Sequence, residues 1–341
     1  MSVLYIGLPA GAGHWLQIGY QDFAAILGER LPHRIYDFDR SPETQFEGIE
    51  IVVEAGGSFA TSEIIDAAAQ RGVRFWQIVG TGIDHVDVAR FYDRGIQLAN
   101  LPGLFSSVAL AEHAFFGMLF FARLYHNTQR ALQSRILCDP VGEELSGKNL
   151  SIVGLGASGR ELARRASAFG MRIFAMDLEP PSPETIQGLT CSFAGGISDL
   201  GFLLDQGDYV SLHVPLNSST RHLIDRGGLA RMKSSAVLIN VARSEVVEER
   251  ALIEALQSNA IRGAVLDVFA EEPVDPGHPL LHMDNVLATP HTAGVTSGTS
   301  RRRAAAAVEN ILRVHYGQEP HYLVNGWRSL TAAGPGSQGA R

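Results

Sequence analysis

The sequence predicts an α/β protein of two domains, one of which is inserted into the other. Its 341 residues are enough for two domains of roughly 100–200 residues each. Apolar runs alternate with helical patterns along most of the chain, which indicates parallel sheets covered by helices. The glycine-rich turn Gly154–Gly159 opens a βαβ unit in the middle of the chain, so a separate domain of roughly 100 residues is expected before it.

The first part of the chain has the pattern of a parallel sheet with helices between its strands. The predicted strands are Val3–Leu8, Arg34–Asp37, Ile49–Glu54, Phe75–Ile78 and Ile96–Leu98. Helices are predicted over Asp22–Glu29 and Ser62–Ala69. A helical pattern then runs from Leu101 to Leu132, broken at Pro102-Gly103, and is expected to lead from one domain into the next.

The second part begins with a predicted strand over 150–154, a helix over 157–169 and a strand over 171–177. Further strands are predicted at Tyr209–Val214, Ala236–Val241, Gly263–Val268 and Asn285–Ala288. Helices are predicted at Gly201–Leu204, Gly227–Met232, Val247–Gln257 and Arg303–His315. A strand-like segment at Tyr322–Val324 precedes a tail, 327–341, whose low apolar content predicts disorder.

The glycine turn has the chemistry of a dinucleotide site. Gly154 permits a tight turn, Gly156 lets the backbone approach a pyrophosphate, and Gly159 lets the helix pack closely on the strand. The helix N-terminus, with Ala157 and Ser158, offers unpaired N–H groups to that anion. Asp177 ends the next strand, where a carboxylate accepts ribose hydroxyls and disfavours a 2′-phosphate, so NAD is predicted rather than NADP. The alternative is a glycine turn that binds nothing.

Composition narrows the class of protein. The net charge of −8 argues against a nucleic-acid partner, and the run Arg301-Arg302-Arg303 is interpreted as a solvated helix face. Cys138 and Cys191 lack metal-ligand spacing, so no metal is expected and a reducing compartment is favoured. The N-terminus resembles a first strand rather than a signal peptide or a membrane anchor, which favours a cytoplasmic location.

Three side chains that could carry chemistry follow predicted strands in the second part, where ligands of doubly wound sheets bind. Arg243 could hold a carboxylate with both arms of its guanidinium and polarise an adjacent carbonyl. Glu272 could stabilise the imidazolium form of His291, which would then serve as a proton donor. Each residue alone could equally be a surface or structural residue, and the combination favours catalysis.

Five segments together resemble the D-isomer-specific 2-hydroxyacid dehydrogenase family, which includes phosphoglycerate, hydroxypyruvate/glyoxylate and D-lactate enzymes. They are Gly154–Gly159, His213–Thr220, Ile239–Arg243, Leu266–Pro273 and Pro290-His291.

The resemblance implies a role for each matching residue. Arg243 would bind and polarise the substrate, His291 would be the acid/base, and Glu272 would pair with it. Asp267 would contact the nicotinamide, and the remaining cofactor contacts would come from His213, Pro215, Thr220 and Ala242. A first-domain loop would hold the substrate carboxylate, through Gly57, Gly80, Thr81 and Gly82.

The resemblance also implies a domain arrangement and an assembly. A flavodoxin-like substrate domain would comprise 1–98 and 295–326, a Rossmann NAD-binding domain would comprise 99–294, and the active site would lie in the cleft between them. The apolar helix Leu110–Leu124 is expected to form a homodimer interface. The implied activity is interconversion of a 2-keto acid and a D-2-hydroxy acid.

Two departures from the family pattern bear on the substrate. Ser244-Glu245 stands where the family usually has glycine after the arginine, which could narrow the pocket or alter specificity. Ala55 stands where phosphoglycerate enzymes carry an arginine, so a phosphate-binding charge is expected to be missing and an unphosphorylated acid like glyoxylate or hydroxypyruvate is favoured. Alternatives are a non-catalytic NAD-sensing protein of the corepressor type and an enzyme that oxidises another oxyanion such as phosphite.

Overall fold

The computed structural model describes residues 2–56 and 58–324, and these form two compact units. The first unit takes in the described residues of Met1–Phe105 and Val295–Arg341, and the second is Ser106–Gly294. Gly57 and the tail 327–341, for which disorder is predicted, lie outside the described residues.

The first unit is built on a parallel sheet of five strands. They are β1 (Ser2–Ile6), β2 (His33–Ile35), β3 (Ile49–Glu54), β4 (Phe75–Ile78) and β5 (Gln97–Ala99). Its helices are α1 (His14–Leu27), α2 (Ser62–Gln70), α3 (Val88–Asp93) and, at the far end of the chain, α11 (Ser297–His315). The strand order β2-β1-β3-β4-β5 is flavodoxin-like, and every neighbouring pair is parallel.

Both faces of this sheet are buried. On one face, α1 and α11 pack together over Tyr5, Val53 and Phe75, while the other face buries Trp76 beneath α2 and α3. Near-continuous apolar strands are the expected consequence of covering a parallel sheet on two sides.

The second unit is built on a parallel sheet of seven strands. They are β6 (Asn149–Val153), β7 (Arg172–Met176), β8 (Cys191–Gly195), β9 (Tyr209–Leu212), β10 (Val237–Asn240), β11 (Gly263–Leu266) and β12 (Val286–Ala288). Its helices are α4 (Ser107–Ala122), α5 (Tyr125–Gln133), α6 (Ala157–Ala168), α7 (Pro183–Ile186), α8 (Leu200–Gln206), α9 (Arg226–Arg231) and α10 (Glu249–Gln257). The order β12-β11-β10-β9-β6-β7-β8 is that of a doubly wound Rossmann sheet with one further strand.

Strand order places the glycine turn at the functional edge of this sheet. The turn follows β6, which lies between β7 and β9 at the point where the strand order reverses. Ligands of such sheets bind outside the carboxyl ends of the strands at this point. The predicted fold class is confirmed.

The helical segment Leu101–Leu132 is divided into a short 3₁₀ turn, α4 and α5. Residues of α4 are buried on most sides, against α6 and β10, because the helix is apolar all round. Within the described residues no single helix is long and apolar enough to cross a membrane; α4 and α5 reach that threshold only when taken together across a 48° bend.

Three local predictions are wrong. Helix α1 begins at His14 rather than Asp22, because packing against α11 outweighs the weak helix propensity of residues such as Trp15, Ile18 and Gly19. Strand β8 is absent from the prediction, since its small, partly buried residues give no clear alternation. The arginine run on α11 is not one solvated face: Arg301 is exposed near Asp22, Arg302 donates to the Phe105 carbonyl, and Arg303 lines a pocket.

Candidate active site

The glycine turn after β6 has the close approaches that its sequence predicts. Gly154 has a φ of +100°, and a Cβ there would lie 2.7 Å from the His213 carbonyl carbon. A Cβ at Gly159 would lie 2.1 Å from the Gly154 oxygen, so only glycine lets α6 sit this close to β6. A Cβ at Gly156 would meet no protein atom within 4 Å, which leaves open space beside the first turn of α6.

Asp177 lies directly beside that turn. One carboxylate oxygen accepts the Leu155 backbone N–H at 3.0 Å, and the other accepts the Leu178 N–H at 2.8 Å. Leu155 is between the first two glycines, so the carboxylate is fixed against the turn, and it remains partly exposed. Because a carboxylate oxygen can accept more than one hydrogen bond, Asp177 can still bind ribose hydroxyls.

The loop after β9 also reaches the glycine turn. One His213 ring nitrogen hydrogen-bonds Ser158 Oγ at 3.0 Å, and the other hydrogen-bonds Ser211 Oγ at 2.9 Å. Burial lowers the pKa of His213 to about 4, so the ring is neutral at pH 7. The side chain beside Ser158 at the start of α6 is therefore uncharged.

The two other predicted residues of this loop differ in exposure. Pro215 is exposed, whereas Thr220 is fully buried. The Thr220 hydroxyl donates to the Pro215 carbonyl at 2.6 Å and accepts the Asn217 N–H at 2.9 Å. Thr220 thus shapes the loop that presents Pro215, with its own hydroxyl used inside the protein.

Arg243 follows β10 in a turn held by a buried amide that the sequence analysis did not single out. Asn240 is 1% exposed; its side chain donates to the Arg243 carbonyl at 2.8 Å and accepts the Ala242 N–H at 3.0 Å. The Arg243 guanidinium donates to the Ala242 carbonyl at 3.0 Å and is partly exposed. The sequence position of Asn240 could have identified it, because a buried polar residue at the end of an apolar strand must find hydrogen-bond partners in the following turn.

Glu272 and His291 form the predicted pair. His291 Nδ1 and Glu272 Oε2 are 2.7 Å apart, and Glu272 Oε1 accepts the Phe269 N–H at 3.0 Å. Partial burial alone would raise the pKa of Glu272, but hydrogen bonds from His291 and Phe269, with the charges of His291 and Arg243, hold that pKa below its usual value. The carboxylate is therefore ionised and fixed, and it orients the imidazole.

His291 has a left-handed backbone, with a φ of +54°, which is uncommon for a residue other than glycine. Its N–H donates to the carbonyls of Asp267 and Thr289 at 2.9 and 3.0 Å. These two hydrogen bonds hold His291 in the left-handed conformation. Strained backbone conformations of this kind are concentrated at functional sites.

Asp267 organises that loop from beneath. It is 1% exposed and accepts the Thr289 hydroxyl at 2.5 Å and the N–H groups of Thr292 and Ala293, both at 2.8 Å. His113 from α4 completes the cluster through Thr289 Oγ1 at 3.0 Å. The direct contact of Asp267 with the nicotinamide stays a prediction, and the bonds that the structure shows position His291.

Ser244 and Glu245, the unusual residues after Arg243, are engaged with each other and with Arg221. Ser244 Oγ donates to Glu245 Oε2 at 2.9 Å, and Arg221 lies 3.8 Å from Glu245 Oε1. Arg221 offsets part of the Glu245 charge, so this charge is not left uncompensated beside Arg243.

The predicted carboxylate loop lies in the first unit, after β4. The Gly80 carbonyl accepts the Leu101 N–H at 2.9 Å, and the Thr81 carbonyl accepts the Asn100 side chain at 2.7 Å. Gly80 is buried, Gly82 is partly exposed, and Thr81 is exposed in the same loop. The carbonyls are therefore tied back to the protein, and the substrate contact stays a prediction.

The second unit can hold a dinucleotide through its own residues. The open space at Gly156, the N-terminus of α6 and the acceptor Asp177 suit a pyrophosphate and a ribose. In the described part of the chain no group of three or more His, Cys, Asp or Glu side chains could hold a metal ion.

Comparisons with known proteins agree with this arrangement. Residues 115–293 match the family model of the D-isomer specific 2-hydroxyacid dehydrogenase, NAD binding domain. A glyoxylate reductase of Thermofilum pendens is 36% identical over 270 residues, covering 77% of this chain and 78% of that protein. A hydroxypyruvate reductase of Thermotoga maritima is 36% identical over 269 residues, covering 78% and 84%. The solved TT0316 protein of Thermus thermophilus has a TM-score of 0.76 and 32% identity, covering 95% of this chain and 100% of that chain.

Proposed function

Because the chain belongs to the D-isomer-specific 2-hydroxyacid dehydrogenase family, we propose that it reduces a small 2-keto acid to the D-2-hydroxy acid with NADH. The observation that carries the proposal is the 2.7 Å contact between His291 and Glu272 in the same unit as Arg243 and the glycine turn. The relatives named glyoxylate reductase and hydroxypyruvate reductase favour a short substrate.

Each residue of the site has one task in this reaction. NADH, held by the glycine turn and Asp177, would supply the hydride that C2 of the keto acid accepts. Arg243 holds the substrate carboxylate and draws electron density from the C2 carbonyl. His291, in its protonated form, donates a proton to the developing alkoxide, and the negative Glu272 keeps the imidazolium stable and correctly oriented. Hydride and proton together convert the carbonyl to a hydroxyl.

The residues around the cofactor select NAD. Asp177 would accept the adenosine ribose hydroxyls and repel a 2′-phosphate, while Gly154, Gly156, Ala157, Ser158 and Gly159 would present backbone N–H groups to the pyrophosphate. We assign His213, Pro215 and Ala242 to the cofactor wall, with Thr220 supporting Pro215. Asp267 is assigned to the nicotinamide side.

The first unit is proposed to bind the substrate carboxylate through Gly80, Thr81 and Gly82, whose carbonyl groups are tied inward at two positions. We propose that this unit is the substrate domain and that the second unit, Ser106–Gly294, is the NAD domain.

We also propose a homodimer with a cytoplasmic location. Apolar side chains are exposed on α4, on α5 and in the segment after α5: Phe116, Leu132, Ile136, Leu137 and Val141. A second copy of this chain would cover them, and Leu137→Glu would shift the sedimentation coefficient of the dimer to that of a monomer. The location is supported by Cys138 and Cys191, which are free thiols.

A substrate panel tests the function. Purified protein is mixed with NADH and, in separate reactions, glyoxylate, hydroxypyruvate, pyruvate and longer 2-keto acids, and the loss of absorbance at the nicotinamide band is followed. We expect turnover of at least one acid and a product of the D configuration. Binding of NADH without turnover of any acid would overturn the proposal in favour of a sensor.

A further inference from the structure

A pocket opens in the first unit at the carboxyl ends of β1, β3 and β4. It lies beneath α1 and α11, and the residues of these helices form most of its wall. The lining residues that matter for its chemistry are Tyr5, Trp15, Ala55, Val79 and Arg303.

Arg303 brings a positive charge into this pocket without a counter-charge. Its Nε is completely buried and has no hydrogen-bond partner, and no ion pair involves Arg303 within residues 2–56 and 58–324. Burial, with a smaller contribution from the charge of Arg302, lowers the pKa of Arg303 to about 10, so the guanidinium is still charged at pH 7. A guanidinium whose Nε is buried without a hydrogen-bond partner is costly, and an anionic ligand would reduce that cost.

Two further donors line the same space. The Tyr5 hydroxyl and the Trp15 indole N–H have no hydrogen-bond partners within the described part of the chain. Burial, reinforced by Tyr20, raises the pKa of Tyr5 above its usual range, so its hydroxyl stays protonated. A Cβ built on Gly19, another lining residue, would be 3.7 Å from the Tyr5 hydroxyl, which places that oxygen at the pocket wall.

Asp22, which contacts the lining residue Ser300, has its carboxylate engaged by other groups. Asp22 accepts the Ser300 hydroxyl at 2.5 Å and lies 4.0 Å from Arg301 on the outer side of α11. The remaining lining includes the apolar side chains Leu16, Phe23, Val79 and Ala304. The pocket thus combines hydrogen-bond donors that have no acceptor with apolar side chains. This combination suits a ligand with a single carboxylate on a short hydrocarbon chain.

The pocket adjoins the loop assigned to the substrate carboxylate. Val79 lines the pocket and directly precedes Gly80, and a Cβ at Gly80 would lie 3.4 Å from Gly56 Cα in the pocket wall. Ala55 lines the same space, and Arg303 of α11 brings a positive charge to it from the other side.

We propose that this pocket binds a second carboxylate at the far end of the substrate, so that the preferred substrates are short 2-keto dicarboxylic acids. The proposal rests on the 2-keto acid reductase function above. Arg303 would pair with the distal carboxylate, and the Tyr5 and Trp15 donors would complete its hydrogen bonds, while the Gly80–Gly82 loop holds the proximal carboxylate.

A matched pair of substrates tests this assignment. 2-Oxoglutarate and 2-oxopentanoate both have five carbons and differ at the far end, which is a carboxylate in one and a methyl group in the other. We expect the wild-type protein to have the higher kcat/KM with 2-oxoglutarate. Arg303→Met should lower the ratio of the two kcat/KM values roughly 10- to 100-fold, the usual worth of a hydrogen bond to a charged group.

Two further variants serve as controls. Arg303→Lys keeps the charge and should retain part of the preference, and Arg301→Met removes an exposed arginine of the same helix and should leave the ratio unchanged within about twofold. Thermal unfolding of each variant and its kcat/KM with 2-oxopentanoate report on the fold.

The outcomes separate this inference from the proposed function. If the wild-type protein reduces glyoxylate or 2-oxopentanoate but has no preference for 2-oxoglutarate, the distal site is refuted while the reductase function stands. An unchanged ratio in Arg303→Met, or an equal loss in Arg301→Met, refutes it as well. If no 2-keto acid is reduced, the proposed function itself fails.

Discussion

Replacing Glu272 with Gln removes the charge that supports His291 while keeping the shape of the side chain. In the wild-type protein the two side chains are 2.7 Å apart, and Glu272 also accepts the Phe269 N–H at 3.0 Å. The amide can keep one of these contacts but cannot stabilise an imidazolium. We therefore expect Glu272→Gln to fold normally and to reduce 2-keto acids more slowly.

The expected loss of activity depends on how exposed the His291–Glu272 pair is. The side chains of His291 and Glu272 are 50% and 36% exposed, so solvent screens much of their attraction. We take about 1.5 kcal/mol, the low end of the range for a hydrogen bond to a charged group, which corresponds to a roughly tenfold loss of kcat/KM.

The assay is NADH oxidation with one 2-keto acid between pH 5 and 10. Glu249→Gln is the matched control, because Glu249 lies 3.4 Å from His278 in a second His–Glu pair of the same unit. That variant should leave the profile unchanged. A Glu272→Gln profile that coincides with the wild-type profile would refute the role of Glu272.

Four other variants follow from the same structure. Asp177→Ala should lower the ratio of kcat/KM for NADH over NADPH at least about tenfold, since a carboxylate beside the ribose repels a 2′-phosphate; an unaltered ratio would contradict it. Gly156→Ala should weaken NADH binding with little change in Tm, whereas Gly159→Ala, whose Cβ would meet Gly154 at 2.1 Å, should lower Tm by several degrees; equal Tm values would show that the contacts are misjudged. Burial lowers the pKa of His213 to about 4, so the folded state favours the neutral imidazole. The contribution of His213 to the unfolding free energy is therefore complete above pH 6.5 and is lost as the pH falls toward 4. Between pH 7.5 and 5, the unfolding free energy of the wild-type protein should therefore fall by up to about 2 kcal/mol more than that of His213→Gln, as measured by urea denaturation.

The sequence was sufficient for the fold class and for the pairing of Glu272 with His291. Both depend on patterns that are local in the chain: strands that alternate with helices, a glycine turn followed by an acid, and polar residues that follow apolar strands. Strand ends of a parallel sheet meet at one edge, so residues far apart in the chain could be expected at one site.

The inward turn of Arg303 could not be predicted in this way. Three consecutive arginines on a helix give no period that distinguishes a buried position, and the space that Arg303 enters exists only because α1 and α11 pack together over the sheet. Asp267 and Thr220 illustrate the same limit, because their partners are backbone groups brought together by the folded loops.

The central claim is that Arg243 binds and polarises a 2-keto acid, and the most direct measurement is the kcat/KM of Arg243→Ala. The assay uses NADH and the best acid of the panel, and NADH binding is followed separately by its fluorescence. We predict a loss of kcat/KM of roughly 100-fold or more with unchanged NADH affinity, because the carboxylate loses its paired cation. Full activity in Arg243→Ala would contradict the claim.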